Sequence, residues 1–170
     1  MLPESLTSAA ARSSGVPTSL QKPVIGCART SRWSAIIAAI AIPNLLRSRM
    51  SANEAGAAGG IRTIATGEVA YQAAGIDATT NGIGKYATIT ALGTGTTPFV
   101  DSAIASGIKG GYAFQATPTL ESNAVPRYTA TATPALVNKT GIKSYFVDES
   151  GLIRFEGDGS VANSTSPPLN

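Results

Sequence analysis

The chain has 170 residues, a formal net charge of +3, 43% hydrophobic residues and only 6% aromatic ones. That is enough for one domain with a modest core built mostly from small side chains. There is no histidine and a single cysteine, Cys27, so the commonest general acid/base is absent and an internal disulfide is excluded.

The excess charge sits at the start. Residues 1–32 carry Arg12, Lys22, Arg29 and Arg32 against Glu4 alone, and the rest of the chain is neutral. No aromatic residue lies among these cations, so nucleic acid is not an expected partner. Residues 1–33 show neither a helical nor a strand period. Their three prolines, their serines and their scarcity of acids read as a disordered or targeting segment.

A helix is expected over residues 34–74. Ser34 can cap it, and Ala, Leu, Arg, Met and Gln favour it. From Ala35 to Ile42 every side chain is apolar, well short of the roughly 20 residues that span a bilayer. Pro43 interrupts the run and should kink the helix. A buried core helix and the apolar stretch of a secretory signal, with Ala39-Ile40-Ala41 as a cleavage site, are the competing readings of this run. Beyond Arg47 the pattern turns amphipathic: Ile61, Ala65 and Val69 recur at i+4, with Ala58 three residues ahead of Ile61 and Ile64 alongside. Gly56, Gly59 and Gly60 weaken this section. Glu68 lies beside the stripe. It is expected to face solvent, with Arg62 and Arg127 as cations it could reach.

Residues 75–170 read as a globular domain. A long Gly/Thr-rich connection comes first, holding one helical turn, Ser102 to Ser106, capped by Asp101 and ended by Gly107. The period then becomes two. Tyr112, Phe114 and Ala116 alternate with Ala113, Gln115 and Thr117, and Tyr128, Ala130 and Ala132 alternate with Thr129, Thr131 and Thr133. "KSYFVDESGLIRFE" reads as a hairpin turning at Asp148–Gly151, with Ile153 and Phe155 on one face. The end, "GDGSVANSTSPPLN", reads as a polar tail. The expected fold is α+β: a long N-terminal helix on a four-stranded antiparallel meander. Tyr112, Phe114, Tyr128, Ala130, Phe146 and Phe155, or their near neighbours, are expected to form its core face. The first part of the helix then has no sheet to cover it and should project as an apolar stalk.

No catalytic motif, phosphate loop or dinucleotide fingerprint appears, so no enzyme activity and no cofactor is expected. Asp148, Glu149, Glu156 and Asp158 cluster in sequence but form no recognisable calcium loop. Asn138-Lys139-Thr140 and Asn163-Ser164-Thr165 fit the N-glycosylation pattern and carry little weight.

The stretch "AAIAIPNLLRSRMSANEAGAAGGIRTIATGEVAYQAA", followed by "DSAIASGIKGGYAF" and "SYFVDESGLIRF", resembles type IV pilins and type II secretion pseudopilins. The resemblance covers roughly residues 35 to 168. It implies a filament subunit with a pilin-like fold. Its apolar half-helix would sit first in the bacterial inner membrane and then pack with identical or related subunits in an extracellular pilus or periplasmic pseudopilus, with the help of a pilus assembly machinery. The packing residues it implies are Ile36, Ile37, Ile40, Ile42, Pro43, Leu45 and Leu46.

The N-terminus departs from the family. Members carry a basic leader ending in Gly, then Phe-Thr-Leu-Ile-Glu. By the family's spacing from Pro43 these positions fall at Gln21, Lys22 and Gly26, and none matches. An out-of-frame or mis-started translation upstream of about Ala35 accounts for this, as would a degenerate homologue; the composition of the prefix favours the former. As it stands, the chain is expected neither to span a membrane nor to polymerise. The alternative function is a soluble periplasmic or secreted module binding a partner through its Thr-rich sheet face and long loop.

Overall fold

The computed structural model describes residues 32–76, 82–119 and 125–170, with helix side chains from Asn44 onward. Helix α1, Arg32–Ala74, runs through Pro43 as one element and begins two residues early, so Ser34 lies inside its first turn. The expectations for residues 1–31 lie outside the described residues, as do those for the side chains of Ile36, Ile37, Ile40, Ile42 and Pro43.

After α1 come α2, Ile89–Gly93, and α3, Ser102–Ala105. Thr88 caps α2 and Asp101 caps α3, the latter through Oδ1 accepting from the Ile104 N–H at 2.8 Å. The strands are β1 (Ile108–Lys109), β2 (Tyr112–Thr119), β3 (Arg127–Pro134), β4 (Ser144–Asp148) and β5 (Arg154–Glu156). They form one antiparallel sheet in sequence order. The fold is therefore α+β, with five strands rather than four. The extra strand arises at Gly110-Gly111, where φ values of +58° and +76° make a two-residue hairpin turn that pairs Lys109 with Tyr112.

Alternation sorts the sheet faces. Tyr112, Phe114, Ala116, Tyr128, Ala130 and Ala132 are buried toward α1. Ala130 pairs with Val147 and Ala132 with Tyr145, so these β4 residues share that face. Phe155 pairs with Tyr145 and packs with them. Phe146 pairs with Thr131, which places it on the opposite face and corrects its expected place in the core. All of Ser144 to Val147 is nonetheless buried, because the C-terminal segment covers the other side. Ser144 Oγ donates to Ser160 O at 2.5 Å and accepts from the Ala162 N–H at 2.8 Å. The Phe155 N–H donates to Pro167 O and the Leu169 N–H to Ile153 O, extending the edge of β5. The polar end of the chain is part of the fold.

The buried stripe of α1 is Ala57, Ile61, Ile64, Glu68 and Tyr71. Of the expected stripe, Ala58, Ile61 and Ile64 are buried and Ala65 packs partly against the core, but Val69 is 58% exposed. Each i+4 step overshoots a full turn by about 40°, whereas alternating steps of four and three stay on one face.

Candidate functional site

The helix enters the globular domain at Asn53 and Glu54. Asn53 Nδ2 donates to Thr140 O at 2.9 Å. Glu54 Oε1 accepts from the N–H groups of Ile142 (2.9 Å) and Lys143 (3.3 Å), and Lys143 Nζ stands 3.7 Å from Glu54 Oε2. The loop they hold is braced from below by Tyr112, whose hydroxyl donates to Lys143 O at 2.8 Å. These contacts clamp α1 onto the connection between β3 and β4. They join residues 87 to 89 positions apart, so no local sequence pattern announces them.

Ahead of the clamp, every residue from Asn44 to Arg49 is exposed. Leu45 is 66% and Leu46 50% exposed, side by side with Arg47 and Arg49. These leucines are the two expected packing residues whose side chains are described, and among the described residues both stay half or more exposed. Among the described residues, no helix is long and apolar enough to cross a membrane.

Beyond the clamp, Gly60 lets α1 lie close on the sheet at Phe114, and Gly67 leaves room for the connection between α2 and α3. A Cβ on Gly67 would meet Val100 Cγ1 at 3.1 Å. Glu68 follows, and here the expectation of a solvent-facing carboxylate fails. The residue is 0% exposed. Its Oε2 accepts from the Ala87 N–H at 2.9 Å, and among the described residues Oε1 has no hydrogen-bond partner. Burial pushes its pKa up from 4.5 to about 7, against the smaller opposing effect of the Ala87 hydrogen bond. Arg62 is exposed, and Arg127 stands 3.6 Å from Glu149 instead. The apolar periodicity that put Glu68 near the stripe was the available signal; the strand order that roofs it was not readable locally.

The acids near the end serve local turns. Asp148 Oδ1 accepts from the Ser150 N–H and hydroxyl, and Asp158 Oδ1 does the same for Ser160. Among the described residues no three His, Cys, Asp or Glu side chains converge as a metal site would require. Asn138 sits at φ +65°, a left-handed position that asparagine tolerates better than most residues.

No protein-family model, curated protein or solved structure matches the chain.

Proposed function

We propose that the chain is the structural subunit of a type IV pilus or related pseudopilus. The observation that carries the reading is the uncovered Leu45–Leu46 segment at the head of a helix otherwise clamped to its domain. Exposed apolar helix surface adjoining a longer apolar run calls for a partner, and copies of the same helix supply a matching surface. The partners are identical or related subunits through α1, with the inner membrane and an assembly machinery as the route.

The test is expression in a host with a pilus assembly system. One form is the chain as it stands. The other has a cleavable leader, Phe-Thr-Leu-Ile-Glu and a full apolar half-helix ahead of Ala35. Sheared surface fractions are examined by electron microscopy and immunoblot. Filaments containing the second form are expected. Their absence, while the host's own pilin assembles, rejects the reading.

The second reading is a soluble binding module. It draws on the outer face of β2 and β3, where Gln115, Thr117 and Thr129 are exposed. It predicts that substitutions on this face abolish function while Leu45 and Leu46 tolerate polar replacement.

A further inference from the structure

Residues 82–88 cross the C-terminal half of α1 and are fastened at four points, three on α1 and one on β3. Gly84 approaches the helix so closely that a Cβ there would stand 1.9 Å from Gln72 O. A side-chain hydrogen bond joins Tyr86 to Gln72. The Tyr86 ring lies 4.6 Å from that of Tyr128 on β3, centroid to centroid. The fourth point is the Ala87 N–H on Glu68 Oε2. Only this last one depends on a titratable group that is wholly buried on an apolar helix face.

The two protonation states of Glu68 fit this site unequally. With its proton, the carboxyl accepts from Ala87 and leaves one neutral oxygen unpartnered. Without it, a full charge is sealed under residues 82–88 with one hydrogen bond to support it. A buried unpaired charge is far costlier than a buried unpaired neutral group. Among the described residues the influences on Glu68 are burial, the larger, and the Ala87 hydrogen bond, and no cation is one of them. Two titratable groups lie beside Glu68 on neighbouring elements. Tyr86 on the crossing segment and Tyr128 on β3 are held as protonated hydroxyls, first by burial and then by nearby acids, Glu68 among them when ionised. Glu149, just after β4, acts on both tyrosines, and Asp148, the last residue of β4, acts on Tyr128. Lys85, in the crossing segment itself, is half-buried and is no part of what shifts Glu68.

We propose that residues 82–88 form a proton-controlled strap, fastened to α1 while Glu68 is protonated and released when Glu68 ionises. Release lets water reach the carboxylate and uncovers the Tyr128 face of the sheet. The adjoining surface already carries exposed Val69, Ile76 and Ile83. The apolar area open to a partner would then grow as pH rises through neutrality. The inference stands independently of the filament reading.

The test is amide hydrogen exchange on the full chain from about pH 5 to pH 9, each rate divided by its intrinsic value. Protection at Ala87 and its neighbours in 82–88 should fall about tenfold or more across the range, while amides of β3 and β4 hold theirs. In Glu68→Gln, whose amide oxygen can still accept from Ala87, strap protection should stay flat. Uniform strap protection in the native chain, or an equal loss in the variant, overturns the proposal. If the variant does not fold, the carboxyl carbon shift of Glu68 in the native chain decides. Its titration midpoint must coincide with the loss of strap protection, and a separation of about one pH unit or more overturns the proposal.

Discussion

A Cβ placed on Gly60 would stand 2.7 Å from Cε1 of Phe114, so the phenyl ring occupies the space that any larger residue would need. The glycine thereby sets how near α1 comes to β2. Gly56 lies one turn earlier with nothing within 4 Å of its Cβ position. The two glycines look alike in sequence and should respond oppositely to alanine.

Gly56→Ala should stabilise the chain by about 0.5–1 kcal/mol, the ordinary helix-propensity gain. Gly60→Ala gains the same amount but forces Phe114 to move, at a cost of roughly 1–3 kcal/mol for overpacking. A shift of the urea midpoint upward for the first and downward for the second is the expected result. Equal shifts would mean that the helix and sheet separate freely at this point.

Glu54→Ala should destabilise by about 1–3 kcal/mol, because the Ile142 and Lys143 N–H groups lose their acceptor. Glu54→Gln keeps an accepting oxygen and should lose less. Equilibrium unfolding of both variants measures the difference. If both cost the same, the charge on Glu54 matters more than the hydrogen bonds.

Stability should decline as pH rises from about 4.5 to about 7. The native state holds Glu68's proton up to about 7, whereas the unfolded chain releases it near 4.5. In that window the native state binds more protons, so raising pH favours unfolding. The shift corresponds to about 3 kcal/mol in all. Asp101 has the opposite sign. Lys109 first, then the Ile104 N–H, lower its pKa, so its contribution is present above its usual value of 3.8 and is lost as pH falls below it. A stability maximum between these windows is expected in the native chain. Glu68→Gln should remove the decline above pH 4.5 and leave the acid limb in place.

Leu45→Asp and Leu46→Asp should each change domain stability by less than about 0.5 kcal/mol, since neither side chain packs on the domain. In the anchor-restored form both should abolish filament assembly. Thermal melts and sheared fractions read the two effects separately. A large loss of stability would show that the segment folds back onto its own domain.

The chemistry of side chains along the backbone was enough to determine the class of fold. Two-residue alternation over Tyr112–Ala116 and Tyr128–Ala132 survives intact, because a strand has only two faces and its side chains must choose between them. The Asp101 cap and the turn at Gly151 were readable for a similar reason: each is closed by bonds within four residues. The short β1 could have been read from Gly110-Gly111, a hairpin dipeptide overlooked inside a long loop.

Everything that depends on what lies opposite a residue was decided by the tertiary structure. Helical periodicity narrows a stripe only to within a residue or so, and the sheet selected Ala57, Glu68 and Tyr71 over Val69. Phe146 changed sides because pairing with Thr131, not its own hydrophobicity, sets its face. Glu68 is the sharpest case. Its charge argues for water, yet the segment around Ala87 roofs it, with Tyr86 of that segment and Tyr128 of β3 beside it. Local sequence records which groups a residue carries. Which groups surround it is settled only when segments distant in the chain are brought together by packing, and both burial and proton affinity follow from those surroundings.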